Sequence, residues 1–560
     1  MDFLEYKNSI LEYLRTEKYK KEVEIDIHRN LSRAEKIDAG LLIPMAKVTE
    51  DNHPEYIVSV SDNLSRLRPG DKVKLLNVET DKLIFDVIVV ENKENQLHLL
   101  SKKELEEGKE YDILVDEVVM MDSLIKSVES IEDGTGVGFL NTLAGTMPPI
   151  NFLRGGLSRF AELKIPKNFN TKQIEACTTA FKRPTLLCIQ GTPGSGKTHL
   201  LSIIAQAYSS ESKEVLIVSL THQAVNNALN KIKETDSKLP VFKIGDGFRS
   251  EGLKPTIHIS ESYNDYLAYR KSKKKKRGEP GDILGMTLHA ATINLGIRTT
   301  GYQPMIVLVD EAGQIPLTHA ANIGSFGCGS VILIGDHEQM PPIYANGMED
   351  NPLSVSIFEH LMKLYPEKSI TLNTTYRMNE EITSLCSRNF YEPHGVQLIS
   401  SDFSKNRKLL ISSFNEEQNE HSVTYILDES SNVDSQEMNI EEANTAANIV
   451  RNLYEQGLTH KDVAVITPFR LQTRTIRERV ASILPDGSDL PLIDTVERLQ
   501  GQDVDCIIIS FSVSDKKYLN KMESFLFQPN RLNVMISRAK KKVIFLMSQS
   551  VFDIWNNNFK

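Results

Sequence analysis

One glycine-rich segment limits the folds open to this chain more than any other. The residues GTPGSGKT start at Gly191 and fit the spacing G-x-x-x-x-G-K-S/T, which ends with Gly196, Lys197 and Thr198. They follow the apolar run TLLCIQ and precede HLLSIIAQAY, which has helical periodicity. Such a turn directs backbone N–H groups at a phosphate, and the helix N-terminus adds a positive dipole. The segment therefore predicts an α/β domain that binds a nucleotide.

Apolar runs rich in β-branched residues recur after this loop and predict parallel sheets. Segments of helical length separate the runs, which read TLLCIQ, EVLIVS, MIVLVD, SVILIG, VAVITP, CIIISF and VIFLMS. Strands that are apolar on both faces and alternate with helices are typical of α/β domains. A polar stretch around 400–445 interrupts the series, so we expect two such domains, residues 166–370 and 371–560.

The first 165 residues follow a different pattern. Residues 1–40 are charged and helical in pattern, whereas residues 41–115 contain a Pro-Gly-Asp turn followed by short alternating strands. This alternation predicts a small β-barrel, and residues 116–165 return to helix and loop. The barrel either stabilises the fold or acts as a functional module, and the pattern leaves both alternatives open.

Composition argues against several classes of protein. No stretch approaches about 20 consecutive apolar residues, so we expect no membrane-spanning segment and an intracellular, cytoplasmic location. The five cysteines include no C-x-x-C pair, so neither a zinc nor an iron–sulfur site is expected. The net charge of −10 disfavours a protein that coats nucleic acid everywhere but allows a local basic cleft.

Charged residues at and beyond the loop predict phosphoryl-transfer chemistry. Lys197 is expected to reach the β- and γ-phosphates and Thr198 to ligate Mg²⁺. In MIVLVDEAGQ, Asp310 leaves an apolar strand and is expected to hold Mg²⁺ through water. Glu311 is then placed to polarise the attacking water. Together these residues predict ATP hydrolysis.

Two arginines outside the first α/β domain are candidates for the positive charge that phosphoryl transfer needs. They are Arg377 in LNTTYRM and Arg538 in RLNVMISRAKKK. Either arginine alone would suit a surface ion pair. The accompanying segments VILIGDHEQMPPI and IDTVERLQGQDVD favour a catalytic role for both.

The ordered motifs GTPGSGKT, LTHQAVNNAL, VDEAGQ, GDHEQMPP, TYRM, TPFRLQ, TVERLQGQD and RLNVMISRAK cover about residues 166–545. This set resembles the superfamily 1 helicases, most closely the 5′-to-3′ branch. That branch holds the nonsense-mediated-decay helicase, the immunoglobulin-mu-binding helicase and the helicase half of the replication nuclease-helicase. The resemblance implies two RecA-like domains preceded by a helical stalk (1–40 and 116–165) and a β-barrel that clamps the strand. It further implies a monomeric motor that uses ATP and Mg²⁺ to unwind DNA or RNA.

The resemblance also implies the residues that hold ATP. Gln173 would contact the adenine edge, Tyr376 would stack on the adenine, and Gln339 would sense the γ-phosphate. Arg377 and Arg538 would be arginine fingers. The remaining nucleotide contacts would come from Gly191, Thr192, Pro193, Gly194, Ser195, Gly196, Lys197 and Thr198 at the phosphates, and from Gln500, Gly501 and Asp503 near the ribose.

A second set of residues is expected, by the same resemblance, to contact the backbone of single-stranded DNA or RNA. Hydroxyl groups and loop N–H groups suit phosphates and carry no sequence code. The set is Thr221, His222, Thr292, Thr467, Pro468 and Thr495. Sequence alone does not distinguish a DNA strand from an RNA strand.

A basic run, YRKSKKKKRGEPG, lies in a segment at about 245–285 that we expect to be an insertion in the first motor domain. It is interpreted as a solvated loop, a loop that follows phosphates or a nuclear localisation signal. No nuclease domain is expected after RLNVMISRAK, so any cleavage would come from a partner nuclease or effector.

Two other functions stay open. The first is an ATPase switch that nucleic acid gates and that recruits effectors in repair or phage defence without processive unwinding. The second, a ring-forming ATPase, is disfavoured because both arginine candidates lie in the same chain.

Overall fold

The computed structural model describes residues 2–61, 63, 65, 67–93, 95–115, 121–132, 134–273, 278–295, 304–428, 435–485, 487–499 and 501–559. None of the helices within these ranges combines the length and the apolar character needed to cross a lipid bilayer.

A long helix and a barrel open the chain. Helix α1 (Phe3–Asn30) starts at a capping box in which Asp2 and Glu5 exchange hydrogen bonds, and α2 (Arg33–Asp38) follows it. The next strands are β1 (Leu42–Asn52), β2 (Glu55–Ser59), β3 (Lys72–Asn77), β4 (Leu83–Lys93), β5 (Gln96–Leu100) and β6 (Glu110–Val115). Within the described ranges they pair antiparallel in the order β1-β2-β5-β4-β3-β6 and close on an apolar interior.

Helices α3 (Asp122–Glu129) and α4 (Gly134–Ala144) return to pack against α1. Ile10, Leu14, Val128 and Leu140 are fully buried and belong to the same apolar core as one face of the next domain. The stalk helices are therefore continuous with the core of that domain.

A parallel sheet forms the next domain. Its strands are β7 (Leu186–Gly191), β8 (Val215–Ser219), β9 (Val241–Ile244), β10 (His258–Ser260), β11 (Ile283–Thr287), β12 (Ile306–Val309), β13 (Val331–Gly335) and β14 (Ser369–Leu372). In the described part of the chain their order is β10-β9-β11-β8-β12-β13-β7-β14. The helices are α5 (Thr171–Phe181), α6 (Lys197–Ser210), α7 (His222–Thr235), α8 (Tyr263–Ser272), α9 (Leu288–Leu295) and α10 (Ile357–Leu364).

A second parallel sheet follows a two-strand pairing of β15 (Thr374–Thr375) with β16 (Ile399–Ser400). Its strands are β17 (Val423–Asp428), β18 (Val463–Ile466), β19 (Leu492–Asp494), β20 (Val504–Ser510) and β21 (Ala539–Ser548), in the order β17-β21-β20-β18-β19. The helices are α11 (Glu380–Cys386), α12 (Glu416–Glu420), α13 (Ile440–Glu455), α14 (Arg470–Ile483), α15 (Lys516–Leu526), α16 (Pro529–Ser537) and α17 (Gln549–Asn558).

Two tandem parallel sheets covered by helices confirm the predicted fold class. All side chains of β7, β8, β12 and β13 are buried, as expected for central strands with helices on both faces. Because the strands of each sheet are parallel, their carboxyl ends lie along one edge, where ligands bind in open α/β sheets. We call the two units the first and the second sheet domain.

Candidate ATP site between the two sheet domains

The glycine-rich loop joins β7 to α6. Gly194 (φ 72°) and Gly196 (φ 84°) adopt left-handed backbone conformations, which cost glycine little and other residues more. The Lys197 ammonium donates a hydrogen bond to the Gly191 carbonyl at 2.5 Å. A Cβ atom on Gly191 would lie 2.0 Å from Lys197 Cγ. The loop is thus a cradle of backbone groups with the lysine side chain folded over it.

Burial and a hydrogen bond to the neighbouring strand β14 hold other residues of the loop in place. The Thr192 hydroxyl is fully buried and donates to the Leu372 carbonyl of β14 at 2.9 Å. Pro193 is buried, and Thr198 lies half-buried in the first turn of α6. Ser195 Oγ is buried and has no hydrogen-bond partner among the described residues. An orphaned donor at the mouth of a helix fits a phosphate oxygen as its partner.

The acidic pair lies one strand removed from the loop. Asp310 follows β12 and is 4% exposed, and the Glu311 N–H donates to its carboxylate at 3.1 Å. Burial and the Glu311 charge raise the pKa of Asp310 to about 7, while the nearby Lys197 ammonium opposes that rise. A cation nearby would stabilise the ionised form of this buried carboxylate. Its oxygens and the Thr198 hydroxyl are the kind of ligand that Mg²⁺ prefers.

The expected adenine residues meet at the other end of the loop. Gln173 Nε2 donates to the Ser195 carbonyl at 2.9 Å, and the Tyr376 hydroxyl donates to Gln173 Oε1 at 3.4 Å. The Tyr376 N–H donates to the Gly194 carbonyl at 2.9 Å. Sequence reasoning missed Asn170, whose amide donates to the Tyr376 hydroxyl at 3.2 Å. Its capping-box spacing from Gln173 was a usable signal.

The two candidate arginines lie side by side in the second sheet domain. Arg377 donates to the Ser537 carbonyl at 2.9 Å and pairs with Asp503 at 2.6 Å. Arg538 donates to Gln339 Oε1 at 3.1 Å, across the domain boundary. The Nε atoms of both arginines are buried and have no partner among the described residues. Burial and the Arg377 charge lower the pKa of Arg538 to about 10, so an anion between the two guanidinium groups would stabilise both.

The segment that carries Arg377 contacts the glycine-rich loop directly. A Cβ atom on Gly194 would lie 2.5 Å from Arg377 Cβ and 2.6 Å from Thr375 Oγ1. The structure therefore brings Lys197, the acidic pair and both arginines to one cleft, although Arg377 and Arg538 are far from the loop in sequence. The predicted roles of these residues stay predictions.

The residues expected near the ribose have different surroundings. Gln500 lies outside the described residues. Gly501 faces helix α7, since a Cβ on it would lie 3.8 Å from the side-chain amides of Gln223 and Asn227. Asp503 pairs with Arg377.

Strand-contact candidates follow strands at the carboxyl edges of both sheets. Thr221 caps α7 by accepting from the Ala224 N–H at 3.2 Å. Burial lowers the pKa of His222 to about 4, with further lowering by Lys243 and Arg249, so the ring is neutral at pH 7. Its Nδ1 atom is buried and has no partner among the described residues.

The remaining candidates vary in accessibility. The Thr292 side chain is buried, donates to the Leu288 carbonyl at 2.9 Å and accepts from Asn322 at 3.0 Å. Thr467 follows β18 and is also buried, beside half-buried Pro468, and Thr495, which follows β19, is buried as well. The hydroxyl groups of Thr292 and Thr467 thus lie inside the protein, and strand contact by this set stays a prediction.

Part of the basic run is engaged within the protein. Arg270 Nε pairs with buried Asp282 at 2.5 Å. Lys274, Lys275, Lys276 and Arg277 lie outside the described residues.

Known protein families and helicases are similar to parts of this chain. Two models, each described as an AAA domain, match residues 168–387 and 353–550. The chain is 30% identical over 416 residues to the DNA replication ATP-dependent helicase/nuclease dna2 of Schizosaccharomyces pombe, covering 70% of this chain and 28% of that protein.

Other helicases are similar over comparable stretches. The DNA replication ATP-dependent helicase/nuclease DNA2 of Homo sapiens is 28% identical over 68% of this chain and 37% of its own length. The uncharacterized ATP-dependent helicase MJ0104 of Methanocaldococcus jannaschii is 26% identical over 69% of this chain and 68% of its own length. This chain therefore spans less than half of the length of these DNA2 helicases, 28% of the first and 37% of the second.

Among solved structures, an arterivirus nonstructural protein 10 (helicase) aligns with 94% of this chain and 83% of its own, at 13% identity and a TM-score of 0.41. A PRRSV helicase aligns at 14% identity and a TM-score of 0.35, covering 90% of this chain and 69% of its own.

Proposed function

We propose that this chain is an ATP-dependent helicase that moves along single-stranded nucleic acid. One observation carries the proposal: two arginines of the second sheet domain reach the first, Arg377 at Gly194 of the glycine-rich loop and Arg538 at Gln339 after β13. An ATP bound in this cleft would be enclosed by both domains, so its hydrolysis would be coupled to their relative movement. The helicase relatives support the same activity.

The residues at the cleft fit ATP and Mg²⁺. Orphaned buried donors at Ser195, Arg377 and Arg538 suit phosphate oxygens, and Lys197 supplies a further positive charge. Gln173 and Tyr376 are proposed to hold the adenine. We propose that Thr198 and Asp310 hold Mg²⁺, which supplies neutralisation of the phosphate charge when bound.

Each charged residue has a proposed part in hydrolysis. The Glu311 carboxylate accepts a proton from the attacking water, which is directed at the γ-phosphorus. Lys197, Arg377 and Arg538 stabilise the negative charge on the oxygens of the transferring phosphoryl group. Because the protein holds these positive groups in place beforehand, they need not reorient during the reaction. Gln339, bonded to Arg538, reports the state of that site to the first sheet domain.

The strand is proposed to bind along Thr221, His222, Thr292, Thr467, Pro468 and Thr495, and movement is proposed to run 5′ to 3′. The 5′-to-3′ branch, with the nonsense-mediated-decay and immunoglobulin-mu-binding helicases, is the narrower family that we propose. The proposed division into stalk, barrel and two RecA-like domains follows the boundaries given above. Because the names of the DNA2 relatives join a helicase to a nuclease, a nuclease is the partner that we propose.

The test is the ATPase rate with single-stranded DNA, single-stranded RNA and no polymer. We expect at least one polymer to raise the rate, and we expect Lys197→Ala and Glu311→Gln to abolish hydrolysis. Lys238→Ala, at an exposed lysine in the same domain, is the matched control and should behave as wild type. Equal rates with and without polymer, and normal hydrolysis by both variants, would overturn the proposal.

A strand-displacement assay separates unwinding from switching. A helicase displaces a labelled strand in an ATP-dependent manner, whereas a gated switch hydrolyses ATP on the strand without displacement. Comparing duplexes with 5′ and 3′ overhangs measures the polarity.

A further inference from the structure

A buried chain of hydrogen bonds links the second sheet domain to Arg538 through the first. The Tyr391 hydroxyl donates to Asp336 Oδ2 at 2.7 Å, and Gln339 Nε2 donates to the same oxygen at 2.8 Å. Gln339 Oε1 in turn accepts from Arg538 Nη2 at 3.1 Å. Tyr391 and Arg538 belong to one domain, while Asp336 and Gln339 follow strand β13 of the other.

The charges at the two ends fix the orientation of the Gln339 amide. A carboxylate only accepts hydrogen bonds, and a guanidinium group only donates them. The amide nitrogen must therefore face Asp336, and the amide oxygen must face Arg538. If Gln339 were flipped, its nitrogen would oppose a guanidinium donor and its oxygen would oppose a carboxylate.

Tyr391 is held so that it can only donate to Asp336. Its side chain is fully buried, and Asn533 Nδ2 donates to the hydroxyl oxygen at 2.9 Å. Burial and the Asp336 charge raise the pKa of Tyr391 well above its usual range, so the hydroxyl keeps its proton. Asn533 also donates to the Glu338 carbonyl at 2.7 Å, which fixes α16 against the loop after β13.

We infer that Tyr391 is a positioning residue for ATP hydrolysis: it fixes Asp336, which orients Gln339, which aims Arg538 when the two domains are together. This inference rests on the proposed ATPase function. The role lies in the hydroxyl group. Phenylalanine would keep the ring and its packing and would remove only that group. The bond between Tyr391 and Asp336 joins the two domains, so it forms only in arrangements of the domains that bring Tyr391 to the loop after β13.

The test is Tyr391→Phe in the full chain, assayed for single-strand-stimulated ATP hydrolysis. A buried hydrogen bond to a charged group is worth about tenfold in an equilibrium or rate, so we expect kcat to fall about tenfold. The KM for ATP should change less than twofold, because Tyr391 is not proposed to touch the nucleotide. Tyr208→Phe is the matched control, since Tyr208 is also fully buried and its hydroxyl bonds only the Ala180 carbonyl among the contacts described.

A double-mutant cycle with Asp336→Asn separates positioning from packing. If Tyr391 acts through Asp336, the double variant should be no slower than Asp336→Asn alone. Multiplied losses in kcat, or an unchanged kcat in Tyr391→Phe, would overturn the inference. If Tyr391→Phe fails to fold, Asn533→Ser removes the amide that holds the hydroxyl and should lower kcat by a smaller factor at unchanged KM, because the hydroxyl keeps its bond to Asp336 but is held less firmly. A wild-type chain without stimulated hydrolysis would instead refute the proposed function.

Discussion

Arg377 Nη2 lies 2.6 Å from Asp503 Oδ1 in the second sheet domain. The same carboxylate oxygen lies 4.0 Å from Arg538 Nη1, so one acidic side chain serves both predicted arginine fingers. Asp503 therefore competes with any anion that the arginines bind.

Asp503→Asn should tighten ATP binding. Removal of the competing carboxylate frees two guanidinium groups for phosphate oxygens, and because Asp503 is partly exposed we expect a gain of about threefold in affinity. Binding of a fluorescent ATP analogue measures the effect. The control is Asp505→Asn, which removes a nearby carboxylate paired with Lys541 at 2.7 Å. Weaker binding by Asp503→Asn would instead indicate a nucleotide contact, as the sequence resemblance implies for the ribose.

Gly194→Ala should impair both folding and ATP hydrolysis. Its φ of 72° strains any other residue, and the added Cβ would collide with Arg377 and Thr375. We expect a loss of about 2 to 4 kcal/mol in the free energy of unfolding and at least tenfold in kcat.

Gly457→Ala is the control for backbone strain alone, because Gly457 has a φ of 89° and nothing within 4 Å of an added Cβ. It should cost about 1 kcal/mol and leave hydrolysis unchanged. Thermal unfolding of both variants checks the difference. Equal losses would show that the close approach between Gly194 and Arg377 contributes nothing.

Asp71→Asn tests whether the barrel is a clamp or a packing appendage. Asp71 of the barrel pairs with Arg249 of the first sheet domain at 2.7 Å, and the two side chains are 29% and 35% exposed. We expect the variant to bind single-stranded DNA about threefold more weakly, because the barrel loses an anchor beside the proposed strand path.

If charge alone mattered, Asp71→Asn would bind single-stranded DNA more tightly, since removing a carboxylate favours binding of a polyanion. Asp86→Asn, at an exposed position of β4, therefore serves as the charge-matched control. Fluorescence anisotropy with labelled DNA measures both. Unchanged or tighter binding by Asp71→Asn would favour the appendage.

Glu442 makes the stability of the second sheet domain depend on pH. Burial raises its pKa to about 8, although the Ser510 hydroxyl and the Ser512 N–H donate to the carboxylate. The folded state holds this proton above the usual carboxyl pKa of about 4.3, whereas the unfolded state releases it. The contribution of Glu442 is therefore fully present below about pH 4 and is lost as the pH rises to 8.

Glu442→Gln should remove the loss of stability that wild type suffers as the pH rises, because glutamine does not ionise. We expect the variant to melt at a higher temperature than wild type at pH 8 and to differ less at pH 5. Unfolding followed by circular dichroism at both values measures the change. A wild-type melting temperature that does not fall, relative to the variant, between pH 5 and 8 would contradict the assignment.

The central strands were predictable because they are continuous apolar runs. All seven predicted runs coincide with strands, from TLLCIQ at β7 to VIFLMS at β21. Strands β10 and β19 were missed because each has three residues at a sheet edge, with polar side chains among them. Strand β9 was missed because VFKI carries Lys243, which is fully buried and donates to the Arg249 carbonyl.

The site was predictable where its residues lie together in motifs. The contacts between domains were not, because the residues that make them are far apart in sequence, as Asn533 and Glu338 are at a separation of 195 residues. The domain boundaries, the strand contacts and the role of the basic run remain predictions.

The order of strands in the two sheets has a consequence for synthesis on the ribosome. Every strand of the first sheet lies before residue 373, so the barrel, the stalk and this sheet can be completed while the rest of the chain is still being made. In the second sheet, β21 lies between β17 and β20, although it is the last of its strands in sequence. The second sheet therefore stays open in its middle until residue 548 has emerged, and the earlier domain provides a folded surface beside the nascent chain.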